Sequence, residues 1–269
     1  MLTVTMSESY INGYTPPPPP PPPPYDIYGP DPYDINVAFP LDLSALETAS
    51  VKLVPFIPRT HFAAYLAAIP DLNFFYRYFP FENQHSADIK LSLGFIDNYV
   101  RKNENSIVFA VIDKTRPDPE HEFGGSLAGT IALLNHSPSN LSVEIGVLCI
   151  LPAFQRTHVA TQAVGTLLRY SLALPSASVS GLGLRRVYWY AHPDNNPSVN
   201  LAKRMGLKKE GIMRWAWVLP EGKESVGMAP RGNDLKKGLG RDTIVLATSW
   251  QDWEGGGKEL VDKEMARTK

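Results

Sequence analysis

Between Val51 and Ser249 the spacing of apolar residues changes period repeatedly, and each change marks an element. Val51 to Phe56 is a short run of strand type. Phe62, Tyr65, Leu66 and Ile69 then recur at helical spacing behind Thr60, a residue suited to an N-cap. An aromatic cluster, Phe74, Phe75, Tyr76, Tyr78, Phe79 and Phe81, precedes a second amphipathic pattern at Ile89, Leu93, Ile96 and Val100, opened by Ser86 or Asp88. Ile107 to Val111 and Leu127 to Leu134 are β-rich runs joined by a polar Pro/Gly loop from Lys114 to Gly125, the mark of a long hairpin. Leu141 to Ile150 adds a third strand. The pattern then predicts a helix over Val159 to Ala173, a strand over Arg186 to Tyr190, and a short helix over Ser198 to Met205 stopped by Gly206. Ile212 to Leu219 and Thr243 to Ser249, separated by a Gly- and Lys-rich loop, are the last β-rich runs.

This order predicts an α/β (α+β) domain with a mixed, mostly antiparallel central sheet flanked by helices. The early hairpins need no crossover, and only the later strand-helix-strand units do. Ahead of it, Ile35, Val37, Phe39 and Leu41 alternate with smaller or polar residues and predict an extended segment lying on the domain. Pro16 to Pro24 is an unbroken proline run flanked by Tyr10, Tyr14, Tyr25, Tyr28 and Tyr33, which dictates a polyproline II rod. It reads either as a stiff spacer or as a ligand for a proline-binding module. The expected organisation is a disordered proline-rich segment over residues 1–32, one domain over 33–254, and a charged, frayed tail over 255–269.

With 269 residues, 43% hydrophobic and 20% charged, the chain can bury a sizeable core. Twenty-six basic against 27 acidic residues leave a net charge of -1, which argues against nucleic acid and membrane surfaces as partners. Cys149 is the single cysteine, so no internal disulfide forms, and no Cys/His cluster has metal-ligand spacing. The start, MLTVTMSESYING, lacks a basic stretch followed by an apolar run, and no segment approaches the ~18 apolar residues of a membrane span. These features read as a cytoplasmic protein, with the nucleus left open, and no metal is expected.

The stretch from Glu144 to Tyr170 carries the chemistry: a strand passes through a polar turn into a long helix. Backbone N–H groups and the helix dipole converge at such a turn and suit an anion, although many α/β proteins have the turn without the ligand. Here the chain resembles the GNAT superfamily of N-acetyltransferases, most closely its Rim-type, ribosomal-protein-acetyltransferase-like branch. Gln155-Arg156-Thr157-His158-Val159-Ala160, followed by Thr161, is similar to the family's cofactor motif Gln/Arg-x-x-Gly-x-Gly/Ala. His192 to Ser198, running on to Lys203-Arg204-Met205-Gly206-Leu207, resembles its second block, and Arg241-Asp242-Thr243-Ile244-Val245-Leu246 through Trp250 its final strand.

The resemblance implies a GNAT fold in which acetyl-CoA lies between two splayed strands and gives its acetyl group directly to a primary amine. That amine belongs to a small molecule or to a protein N-terminus or lysine. It implies pantetheine pairing to the backbone of Leu148, Cys149 and Ile150, pyrophosphate on Gln155, Arg156, Thr157, His158, Val159, Ala160 and Thr161, and a contact from Asn195. Glu144 is the candidate general base, its alternatives being a solvent-facing carboxylate or the partner of a structural arginine. Many family members place a tyrosine where Ala202 stands, so Ser198 becomes the candidate proton donor to the leaving thiolate, or else a helix cap. Cys149 reads as core rather than nucleophile, and His192 as a turn-shaping residue. His158 replaces the motif's first glycine. It is harmless if only its N–H is needed, and strained if a positive φ is needed. With Arg156 it could instead donate to the phosphates. The alternative function is a non-catalytic CoA-binding or protein-interaction protein with a proline-rich tether. Tyr76, Tyr78 and the loop from Pro220 to Gly240 are the expected specificity elements.

Overall fold

A computed structural model describes residues 14–16, 28–81, 93–94, 96–220, 223 and 226–267. The apolar runs pair into one sheet from β1 (Val51–Pro55), β2 (Ile107–Asp113), β3 (Ser126–Ser137), β4 (Ser142–Ile150), β5 (Arg186–Ala191), β6 (Lys208–Val218) and β7 (Gly240–Ser249). Their order is β1-β2-β3-β4-β5-β7-β6, and every neighbouring pair is antiparallel except β4 and β5. The expected mixed, mostly antiparallel sheet is what forms. The α-helices of four residues or more with bounds among the described residues are α1 (Pro58–Ala67), α2 (Leu72–Phe75), α3 (Val159–Leu172), α4 (Asn196–Arg204) and α5 (Lys258–Met265). β2 is buried at every position, so its sequence is a continuous apolar run rather than an alternation. Helix α3 packs along β1 to β5, and its Val164, Leu167 and Leu168 are fully enclosed.

Several boundaries differ from the sequence reading. Thr60 is not the cap of α1: the helix starts at Pro58, whose fixed φ suits a first turn, and the His61 ring accepts the Ile57 N–H at 2.9 Å. Helix α4 begins two residues early, because Asn195 rather than Ser198 is the N-cap. Gly206, at φ +90, stops it as expected. The tail is not frayed up to Arg267. Val261, Glu264 and Met265 of α5 are buried, and α5 packs on α3 where Gly165 leaves room for the Met265 thioether. The Ile35 to Leu41 segment alternates exposed and sheltered residues without joining the sheet, and the Tyr170 hydroxyl ties it down by donating to Pro40 O at 2.7 Å. Residues 17–24 of the proline run, and the Ser86 to Ile89 opening of the second amphipathic pattern, lie outside the described residues.

Two features of β4 open the sheet. First, β4 and β5 pair only from Ser142 to Glu144 against Arg186 to Tyr188, although both strands continue. Second, Thr130 faces Cys149 while Ala132 faces Gly146, so β4 holds one residue more than β3 across this stretch. That bulge puts Val147 at φ 47, and the Thr130 hydroxyl donates to Val147 O at 3.2 Å. A bulge bends its strand, and β4 leaves β5 just below it.

Candidate active site

The divergence of β4 and β5 forms a cleft of about 330 Å³, within the usual range for small-ligand sites. Glu144, Leu148, Asn195 and Ser198, four residues singled out from the sequence, all line it. Its other walls are mostly apolar or aromatic, including Tyr78, Phe81, Leu134, Trp189, Tyr190 and Trp217.

Among the described residues that line the cleft, Glu144 is the only carboxylate. It sits at the last position of β4 that pairs with β5, 9% exposed, so neither the solvent-facing alternative nor a pairing with a structural arginine describes it. Its Oε2 accepts from Asn135 Nδ2 at 3.1 Å. Burial pushes its pKa up to about 7, and the Asn135 bond only partly offsets this. A carboxylate poised there is half ionised near neutrality and can accept a proton from an ammonium or through water. Tyr188, on the facing strand, is pushed up to about 12 by burial and then by the Glu144 charge, so it stays protonated.

Ser198 lies on the first turn of α4. Trp189 Nε1 donates to its Oγ at 2.9 Å, and an indole nitrogen can only donate, so the hydroxyl proton remains free for another acceptor. The capping role falls instead to Asn195, whose Oδ1 accepts the Ser198 N–H at 3.4 Å. Ala202 is fully buried, one turn further on, and does not line the cleft.

Along β4, Leu151 N–H donates to Ala128 O at 2.9 Å, which turns the peptide groups of 151 and 149 toward β3. Strand alternation then turns those of Leu148 and Ile150 toward the opening. Cys149 faces away. Its thiol is 5% exposed and pushed by burial up to about 12, near Tyr65 and Thr130, so it is core rather than nucleophile.

At the start of α3, the N–H groups of His158, Ala160 and Thr161 meet no backbone or side-chain acceptor among the described residues, as the first turn of a helix dictates. The loop before it is braced by Thr157, whose hydroxyl donates to Phe154 O at 2.6 Å and accepts the Val159 N–H at 3.3 Å. Gln155 Nε2 donates to Ile150 O at 3.0 Å and clamps the loop to β4. His158 has φ -65, so the position needs no glycine; the positive φ of this loop, 61, falls on Arg156. The His158 ring points inward, its Nε2 3.3 Å from Oδ1 of the fully buried Asp113 but without hydrogen-bond geometry. That nitrogen is therefore not offered to a phosphate in this arrangement. Beside the loop, a cavity of about 160 Å³ holds Arg204 and Arg267, both paired to Glu264. These groups fit an anionic diphosphate: converging N–H groups, a helix dipole and two nearby guanidinium groups.

The sequence profile of the Acetyltransferase (GNAT) domain matches residues 51–208. The chain belongs to the GNAT acetyltransferase family. The match ends at the first residue of β6, so β6 and β7, which carry the Trp217 and Arg241 end of the cleft, lie beyond it. A GCN5-related N-acetyltransferase from Brucella melitensis is 26% identical, with 82% of this chain and 85% of that one covered and a TM-score of 0.62. Spermidine N-acetyltransferase from Vibrio cholerae, solved with CoA and spermine, is 14% identical over 77% of this chain and 99% of its own, TM-score 0.54. RimJ from Mycobacterium smegmatis, solved with CoA-disulfide, is 16% identical over 77% and 90%, TM-score 0.53. The last two show the shared fold. No curated protein matches the sequence. Membership makes this acetyltransferase an acetyl-CoA-dependent enzyme of amine acylation.

Sequence reasoning missed three residues of the site. Asn135, which holds Glu144, adopts φ 52 at the end of β3, a conformation that asparagine tolerates. Trp189 holds Ser198; a tryptophan inside a strand must find an acceptor for its N–H, and that was the available signal. Arg241 lines the cleft as the first residue of the Arg241 to Trp250 motif, whose resemblance points to a strand and not to a site. Tyr78 lines the cleft as expected, but Tyr76 does not: its hydroxyl donates to Tyr65 in the core at 2.8 Å. No helix among the described residues is long and apolar enough to cross a membrane, and no group of potential metal ligands occurs among them.

Proposed function

We propose that this acetyltransferase moves an acetyl group from acetyl-CoA to a primary amine by direct attack in a ternary complex, with Glu144 as general base and Ser198 as general acid. The observation that carries the reading is that both side chains line one cleft opened by the parting of β4 and β5. The Leu148 and Ile150 peptide groups pair with the pantetheine arm. The N–H groups of His158, Ala160 and Thr161, at the end of the Gln155 to Thr161 loop, take the pyrophosphate, and Asn195 sits beside the arm at the mouth of the cleft.

Glu144 takes a proton from the incoming ammonium, because only the neutral amine has a lone pair for the thioester carbonyl. The nitrogen–carbon bond forms, the carbon–sulfur bond breaks, the Ser198 hydroxyl gives its proton to the departing thiolate, and the extra proton on the acylated nitrogen passes back through water to restore the Ser198 hydroxyl. Placement of the chain in the Rim-type branch rests on three ordered sequence blocks, the last of them the β7 segment from Arg241 to Trp250. That branch directs attention to protein N-termini as acceptors. The non-catalytic alternative loses its main support once His158 is unstrained.

Acetyl-CoA at about 100 times its Kd should raise unfolding stability by about 2.7 kcal/mol. Thiol release with an amine panel then reads turnover. Absence of any stabilisation refutes the cofactor site, and stabilisation with no thiol release refutes the enzyme.

A further inference from the structure

Arg241 is 5% exposed, borders the cleft, and has no carboxylate partner among the described residues. Its Nη1 donates to Thr243 Oγ1 at 2.7 Å, its Nη2 reaches Tyr78 O only at 3.4 Å, and its Nε is buried with no acceptor. The adjacent Asp242 does not compensate it, because its carboxylate accepts the Trp215 N–H at 2.8 Å. Nε and Nη2 form the guanidinium edge that matches a carboxylate through two parallel hydrogen bonds. A buried, unpaired cation is costly to the fold and is satisfied when a ligand completes it. A second buried cation stands behind the same segment, with Lys223 Nζ donating to Tyr76 O at 2.7 Å. Burial lowers Arg241 to about 10 and Lys223 to about 8, and Arg241 stays charged at neutral pH.

The cleft is thus polarised, with the Glu144 carboxylate at one end, Arg241 at the other, and aromatic walls between. Tyr188 faces both Glu144 and Ala247, and Arg241 is six residues from Ala247 along β7. At about 3.3 Å per residue the two backbones stand ~20 Å apart along the strands. The two long side chains close part of that distance and leave a span on the order of 10 Å. A polyamine would bring a second cation to Arg241, and a free α-amino acid is too short to reach it.

We propose that Arg241 recognises a carboxylate on the amine acceptor, and that the acceptor is a peptide-like molecule with an apolar or aromatic body between its amino group and that carboxylate. This rests on the acetyltransferase reading above and names the substrate class of the same cleft.

The test is acetyl-CoA-dependent thiol release by the full chain with four acceptors: the tripeptide Ala-Phe-Ala, its C-terminal amide, the amide of Ala-Phe-Glu, and spermidine. The expected result is a KM about 10- to 100-fold lower for a carboxylate-bearing peptide than for the Ala-Phe-Ala amide, with similar kcat. Preference for Ala-Phe-Ala assigns a terminal carboxylate, and preference for the Ala-Phe-Glu amide a side-chain one. Arg241→Met should bring the acid and amide KM values together, and Arg241→Lys should keep part of the difference. Retained acetyl-CoA binding reports that each variant is folded. Equal use of acid and amide by the wild type, preference for spermidine, or discrimination that survives in Arg241→Met overturns the proposal. Failure to bind acetyl-CoA or to acetylate any of the four overturns the enzymatic reading itself, and this proposal with it.

Discussion

Replacing Glu144 by Gln should make the protein more stable and less active, and the two effects should depend on pH in different ways. In the folded chain burial holds the Glu144 carboxyl at about 7, against an ordinary value of 4.5. Between those values the folded state keeps a proton that the unfolded chain has released, so stability falls as pH rises from 4.5 to 7 and is level above. At about 1.4 kcal/mol per unit, the full penalty near pH 8 is roughly 3 kcal/mol, and near pH 5 it is under about 1 kcal/mol. Glutamine keeps the shape and can still accept from Asn135, but it cannot ionise. Urea unfolding of wild type and Glu144→Gln without cofactor should therefore show the variant ahead by about 2 to 3 kcal/mol at pH 8 and nearly level at pH 5. Over the same range wild-type kcat/KM should rise through pH 7, whereas the variant should lose about 10² to 10⁴ of its rate and that pH limb with it. A variant no more stable than wild type at pH 8, or equally favoured at both pH values, would refute the buried-carboxylate argument. Unchanged activity would refute the base assignment.

His158→Gly should leave acetyl-CoA affinity within a few-fold, because φ -65 offers no strain to relieve, while costing about 0.5 to 1 kcal/mol of stability through the extra backbone freedom of glycine; calorimetry and thermal unfolding check both, and a large affinity gain would contradict the geometry. Ser198→Ala should lower kcat about tenfold or more while acetyl-CoA binding holds; a variant that loses affinity and keeps kcat makes Ser198 a binding residue. The Cys149 thiol, enclosed and pushed up to about 12, should resist aromatic disulfide reagents until the protein unfolds, and Cys149→Ala should retain turnover. Met265→Ala should cost about 2 kcal/mol in chemical denaturation, since α5 caps α3 through that side chain; a neutral result would return the C-terminal segment to the frayed tail expected from sequence.

The centre of the sheet was legible because β2 and most of β3 are covered on both faces and so read as uninterrupted apolar runs, whereas β6 is exposed along its length. Helix α3 was legible because a long apolar stripe follows a polar turn. Helix α5 was not: eight residues with five charges leave only Leu260, Val261 and Met265 as apolar signal, too few for periodicity to separate from a solvated tail. The start of α4 was misplaced because Asn195, Asn196 and Ser198 are all good caps, and only packing chooses among them. At the site, Glu144 was visible as a charge in an apolar strand, whereas its Asn135 partner depends on a β3–β4 register that no local pattern specifies.

What the sequence hid most effectively is the device that makes the cleft. A β-branched valine at φ 47 breaks the local rule for its residue type, so no propensity argument would place the bulge at Val147. Asn135 and Arg156 also adopt positive φ, the first beside Glu144 and the second in the loop before α3. Such conformations cost of order 1 kcal/mol each and persist only where the surrounding structure imposes them. Here the Thr130 hydroxyl bond to Val147 O, the Asn135 bond to Glu144 and the Gln155 clamp on Ile150 O hold all three in place. These constraints act on one requirement. The β4 peptide groups beyond Glu144 must stay unpaired by β5 to be available to a ligand, and an unpaired strand buried in a closed sheet would leave its polar groups unsatisfied. A bulged strand that bends away from its parallel neighbour meets the requirement by opening the sheet at the level of Glu144, the proposed general base, where the proposed acetyl-CoA site lies.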